Sequence, residues 1–229
     1  MENPACTANF FARRDARLAA LRAVLAVLLR DHPRITLEIG CGHGHFLTAY
    51  AAAQPVSLSA FHQLATAAAA RPPAPADATP ASAQAPFCVG IDLVGERIER
   101  ARRKAARAGL EPRLAFLQAE AGDFLASLPA HVAFADIFIL FPDPWPKRRH
   151  HKNRLIQPEI LSALAARSGI GTRLCFRTDY APYFEDARET LAAHADWEID
   201  PALPWPFEQE TVFQNRAKIW QSFVARRIF

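Results

Sequence analysis

The sequence predicts an α/β fold: a mostly parallel seven-stranded sheet with helices on both faces and a C-terminal antiparallel hairpin. Three observations predict it. Apolar, strand-like runs alternate with stretches of helical periodicity, the order that lays covering helices over parallel strands. At 229 residues and 51% apolar composition, the chain can bury a sizeable core as a single domain over residues 1–229. A glycine cluster follows the first apolar run, where such folds turn from strand to helix.

The elements follow in order. An N-terminal helix is expected from about Asp15 to Arg30, with Leu18, Leu21, Leu25 and Leu28 on one stripe. Strands are expected over Ile35–Ile39, Phe87–Asp92, Leu114–Leu117, Ala135–Phe141 and Arg173–Arg177. Between the second and third, GERIERARRKAARAGL reads as a helix. Ile98, Ala101, Ala105 and Ala108 share its apolar face, Glu96/Arg100 and Glu99/Arg103 are i,i+4 pairs, and Gly109 is its stop. Weaker strand signals near Trp197–Ile199 and Lys218–Ala225 would complete the sheet. One region breaks the rhythm: from Ala67 to Pro86, fifteen of twenty residues are Ala or Pro, so residues 54–86 read as an inserted surface loop. Its neighbour SLSAFHQLATAAAA leaves a short helix open there.

Composition excludes several classes. No apolar run approaches the roughly 18–20 residues of a membrane span, and MENPACTANFFARRDARL lacks the basic start and apolar block of a secretory signal. A cytoplasmic protein is expected. Cys6, Cys41, Cys88 and Cys175 have no metal-site or disulfide-framework spacing, so no metal is expected. The net charge of +4 is modest but clustered: five of the eight residues from Lys147 to Arg154 are Lys or Arg. Such a run is either a solvated loop or the footprint of a polyanion.

The chemistry-bearing motifs sit at predicted strand ends. In LEIGCGHGHF, Gly40, Gly42 and Gly44 allow a sharp turn and close approach to a ligand, but His45 stands where a dinucleotide fingerprint needs its last glycine. Asp92 closes the second strand, where a carboxylate can accept both ribose hydroxyls. Glu38 and Asp92 are 54 residues apart; subtracting the Ala/Pro-rich stretch restores the spacing of about 20 between such a loop and its acid. Glu120, in LQAEAGDF, follows the third strand. In FPDPWPKRRHHKNR, Pro142 and Pro144 restrict the backbone around Asp143 at the carboxyl end of the fourth strand, beside the crevice where α/β sheets bind ligands.

FPDPWPKRRHHKNR resembles the signature of the bacterial tRNA (guanine-N7-)-methyltransferases, and RTDYAPYF, residues 177 to 184, resembles their second one. The resemblance runs over most of the chain outside the insertion. It implies a Rossmann-like class I methyltransferase fold, S-adenosylmethionine as donor and the variable-loop guanine of tRNA as acceptor, with a monomer or homodimer as the acting species. Carried over by position, Glu38, Gly40, Gly42, Gly44, Asp92, Glu120 and Asp143 would contact the cofactor, and Asp143 would be the active-site acid. Lys147, Arg149, His150, Arg154, Asp179, Thr211 and Gln214 would contact substrate. Three positions depart from the family pattern: Asn153 stands where an arginine is common, Glu120 where Asp is commoner, and Gln214 where T-x-x-E has its glutamate.

The chemistry fits these residues. Guanine N7 presents an in-plane lone pair, so its attack on a sulfonium methyl needs no prior proton removal. Catalysis can rest on alignment and on an anion that stabilises the purine as it turns cationic. Asp143 or Asp179 could supply it by accepting from guanine N1–H and the N2 amine, a contact that also rejects adenine. A-form RNA hides N7 in a deep, narrow groove, so the target should be a loop or extruded base. Lys147, Arg148, Arg149, Lys152 and Arg154, with His150 and His151 beside them, would then hold phosphates. Two alternatives stay open. A methyltransferase acting on an exocyclic amine would want an N/D-P-P-Y/F turn, whose order FPDPW lacks; a non-enzymatic RNA-binding relative would keep the pocket as scaffolding.

Overall fold

The computed structural model describes residues 4–54, 85–209 and 219–229, with side chains from residue 12. The expected insertion at 54–86 lies almost wholly outside the described residues.

The strands are β1 (Arg34–Ile39), β2 (Phe87–Asp92), β3 (Leu114–Gln118), β4 (Ala133–Leu140), β5 (Ser168–Thr178), β6 (Trp197–Ile199) and β7 (Gln221–Arg227). They form one sheet in the order β3-β2-β1-β4-β5-β7-β6. Pairing is parallel from β3 through β5, and β7 runs antiparallel to both β5 and β6. The expected architecture is therefore present. β5 is longer than the apolar run Arg173–Arg177 implied, because its first residues join β4 across a register shift between Phe134 and Asp136.

The helices are α1 (Pro4–Leu28), α2 (His45–Ala53), α3 (Gly95–Arg107), α4 (Ala121–Ser127), α5 (Pro158–Ala165) and α6 (Ala181–Ala192). α1 begins well before Asp15. Proline suits a first helical position, and no breaker separates Pro4 from the leucine stripe. Of the expected stripe, Leu25 is fully buried and Leu18, Leu21 and Leu28 are half-buried; Leu29, just past the helix and outside the stripe, is fully buried as well. α3 stops as predicted, with Gly109 in the left-handed region at φ 66°.

Period-two alternation divides the core between the two faces. Ile35, Leu37 and Ile39 of β1 join Val89 and Ile91 of β2 in a cluster with Leu25, Phe124, Leu161 and Tyr183, under α1, α4, α5 and α6. Cys88, Phe116, Phe138, Leu140 and Cys175 point the other way and pack with Phe46, Tyr50 and Ile98 of α2 and α3. Glu38 and Asp92 alternate with the first set, so both carboxylates fall on the α2/α3 face. No helix among the described residues is long and apolar enough to cross a membrane.

Candidate active site

The chain winds outward from β1 to β3 and then returns to place β4 on the other side of β1. This reversal opens a crevice over the carboxyl ends of β1 and β4. The loop after β1 forms one wall. Gly40 and Cys41 donate their N–H groups to the Ile91 carbonyl at 2.8 and 2.9 Å, and Gly42 donates to Asp92 Oδ2 at 3.0 Å. Asp92 Oδ1 accepts from Val94 N–H at 2.8 Å, and the Arg97 guanidinium lies 3.7 Å from Oδ2. The predicted ribose acid thus also ties the glycine loop to β2. Gly44 cannot be replaced freely: its φ is 67°, and a Cβ there would meet Phe116 at 2.5 Å and Ala101 at 2.8 Å.

Glu38 lies beneath this loop and is 3% exposed. Its Oε2 has no hydrogen-bond partner among the described residues. Burial drives its carboxyl pKa up to about 8, and nearby Asp92 adds to the rise; a backbone hydrogen bond from Leu47 and the Lys104 ammonium oppose it. Lys104 also donates to the His43 carbonyl at 2.9 Å, buttressing the loop. Sequence reasoning missed Lys104, which looks like a helix-surface cation; its position beside Ala105 and three residues after Ala101, both buried, was the available signal. A buried carboxylate with a spare oxygen is a receptor for a cationic group. These residues therefore fit the ammonium and ribose of an S-adenosylmethionine-like ligand.

The opposite wall follows β4. Phe141 and Trp145 both adopt left-handed backbone, φ 50° and 44°, which bulky residues reach only when their surroundings impose it. Phe141 donates its N–H to the Arg177 carbonyl of β5 at 2.7 Å. Two proline rings and two left-handed residues thus bracket Asp143. Its side chain is exposed, and no described residue hydrogen-bonds or ion-pairs with it. Asp179, also exposed, leaves the end of β5, the strand beside β4. Both predicted acids therefore stand at one sheet edge. Lys147, Arg148 and Arg149 are exposed along the turn and the short 3-10 helix Arg148–Asn153, and His150 packs edge-on against Trp145 at 5.7 Å.

Two other residues expected at the site have partners within the protein. Arg154 does not extend into solvent; its side chain is 2% exposed and ion-pairs with Asp186. The sequence placed it among phosphate-gripping cations because a basic run looks uniform, whereas the 3-10 helix turns this last cation inward. Glu120 caps α4, its Oε2 accepting from Asp123 N–H at 2.9 Å. Thr211 and Gln214 lie outside the described residues. Cys41, Cys88 and Cys175 are buried, and burial pushes each thiol pKa up. Among the described residues, no cluster of three His, Cys, Asp or Glu could hold a metal ion.

Comparison with known proteins adds three findings. The sequence model of a family described as "Putative methyltransferase" matches residues 78–221, more than half of the chain. Among curated proteins, the chain is similar to tRNA (guanine-N(7)-)-methyltransferases. It is 41% identical over 87 residues to the one from Streptomyces coelicolor, covering 38% of this chain and 32% of that protein. It is 36% identical over 135 residues to the one from Treponema pallidum strain Nichols, covering 56% and 54%. The matched stretches thus span about a third to a half of those relatives. Among solved structures, the O-methyltransferase TomG from Streptomyces achromogenes in complex with SAM aligns over 93% of this chain and 79% of its own, with a TM-score of 0.52 and 19% identity. An O-methyltransferase from Bacillus cereus in complex with SAH aligns over 93% and 81%, with a TM-score of 0.52 and 15% identity. These likenesses establish a shared fold.

Proposed function

Since the chain belongs to the methyltransferase family whose sequence model matches residues 78–221, we propose that it transfers a methyl group from S-adenosylmethionine to N7 of the variable-loop guanine of tRNA, in the cytoplasm. One observation carries the reading. The Gly40–Gly44 loop over orphaned Glu38 follows β1 and the braced turn of Asp143 follows its parallel neighbour β4, so both leave the same carboxyl edge of the sheet, and Lys147, Arg148 and Arg149 are exposed just after the turn.

The donor would be held by Glu38 and Asp92 on the glycine-loop side, with Glu120 at the end of β3. Bound there, S-adenosylmethionine supplies a methyl carbon made electrophilic by its sulfonium. The chain's own residues have a limited task, because guanine N7 attacks with a lone pair already free. Asp143 and Asp179 accept hydrogen bonds from the guanine edge, and these strengthen as positive charge develops on the ring. The braced turn keeps Asp143 oriented before substrate arrives, so little conformational entropy is lost on alignment. Lys147, Arg148 and Arg149 draw in phosphates without reading sequence.

The test uses purified protein, labelled S-adenosylmethionine and two transcripts of one tRNA that differ only in the variable-loop guanine. Label should enter the guanine transcript at N7 and fail to enter its adenine counterpart. Equal incorporation into both would overturn the assignment.

A further inference from the structure

We infer that Arg154, moored by Asp186, is a positioning residue that holds the Asp143 turn in place, a role that rests on the function proposed above. Its guanidinium reaches in two directions. Nε donates to the Pro144 carbonyl at 2.9 Å, and Nη1 bonds Asp186 on α6. The fork also lies 4.8 Å from the ring centroid of Tyr183, a fully buried side chain whose hydroxyl accepts the Ile156 N–H at 3.1 Å. Tyr183 packs in turn against Phe176 of β5, with ring centroids 5.3 Å apart.

The need for such a tether follows from the turn's composition. Pro142 and Pro144 have no N–H, so the segment can be anchored there only through carbonyl groups. Arg154 supplies the donor for one of them, one residue from Asp143. Asp186 sets where that donor sits, and it also lies 3.4 Å from His151 Nδ1, so one carboxylate braces two points of the basic segment. Burial separates Arg154 from its neighbours: Lys147, Arg148 and Arg149 are exposed, whereas its side chain is 2% exposed. A lysine would keep the charge but could not fork to both partners. The competing role, a phosphate contact, would use Nη2, which has no hydrogen-bond partner among the described residues.

Asp186→Asn separates the two roles by sign. Asp186 is 47% exposed, and losing its negative charge makes the surface more attractive to phosphate. If Arg154 positions the turn, D186N and Arg154→Lys should each lower kcat about tenfold or more, with KM for tRNA within about twofold of the original. Their effects should not add in the double variant. Trypsin cleavage after Lys147, Arg148 or Arg149 should quicken on the order of tenfold, because the tethered segment opens more often. Calorimetric binding of S-adenosylhomocysteine, unchanged in both variants, would show that the rest of the fold is intact. Unaltered cleavage with tighter tRNA binding in D186N would overturn the inference and identify Arg154 as a phosphate ligand released from its clamp. Failure of the unaltered protein to methylate tRNA would defeat the function proposed above, while cleavage rates would still decide whether Arg154 moors the turn.

Discussion

Glu38 shows how a single carboxylate trades stability for binding. Its pKa is raised to about 8 from an ordinary value of 4.5, chiefly by burial. The folded protein therefore holds a proton that the unfolded chain releases near pH 4.5. The associated stability is fully present below that pH and is lost as pH rises towards 8. Glu38→Gln should flatten this dependence, raising the ligand-free protein's stability above about pH 8 by a few kcal/mol, since each tenfold change in proton affinity is worth about 1.4 kcal/mol. The same change should weaken S-adenosylmethionine binding, since the amide cannot pair with a cation. Melting curves from about pH 4 to 9 check the first effect; superimposable pH profiles would show that Glu38 carries no buried proton. Asp143 is the complementary case, an exposed acid with no protein partner among the described residues. Asp143→Asn should lower kcat roughly 100-fold, the scale of losing one charge-stabilising group, a far larger effect than on donor affinity, which Glu38 and Asp92 also support; single-turnover assays and calorimetry together read both.

Elements meet the site through tight glycine contacts and braced turns. Gly44 passes the chain from the loop into α2 with a left-handed backbone, and no space lies between its α-carbon and Phe116. Gly44→Ala imposes backbone strain and a clash together, and should cost about 2–4 kcal/mol in urea unfolding. Phe116→Leu in the same chain should recover part of that loss by relieving the clash, leaving the backbone contribution. A cost below about 1 kcal/mol for Gly44→Ala would mean that the loop repacks and that Gly44 is not needed for close packing. β4 continues this logic at the other wall, where Phe141 is pinned to β5 through the Arg177 carbonyl. Arg177 is itself buried, with its guanidinium 4.0 Å from the Trp205 ring centroid and paired with Glu208 through two hydrogen bonds. The segment after β6 therefore packs against the same sheet edge, with Phe207 5.8 Å from Phe46.

Across the described residues, exposed cations occur on several elements, Arg13, Arg14, Arg17 and Arg22 on α1 and Arg97, Arg100, Arg103 and Arg107 on α3 among them, but the run Lys147, Arg148 and Arg149 is the one that follows the Asp143 turn directly in the chain. Replacing Lys147, Arg148 and Arg149 with glutamine should weaken binding to every tRNA similarly and reduce the log–log salt slope by roughly two to three. Filter binding from low to moderate salt measures this, and an unchanged slope would place the RNA elsewhere. The sequence by itself determined the alternation of strands and helices, the glycine loop, both strand-end acids and the Asp143 turn, because each is written in contiguous residues with a period of two, a period of 3.6 or a fixed backbone requirement. It held only an indirect sign of Lys104 under the loop, in the buried Ala101 and Ala105 beside it, and none of Glu120 as a helix cap or of Arg154 turned inward. A cation's role depends on which carboxylate or carbonyl the fold brings to it, and Arg154 and Asp186 are 32 residues apart in the chain. Only packing settles which cations stay exposed and which turn into the protein, because burial is a property of packed layers and leaves no mark in a basic run.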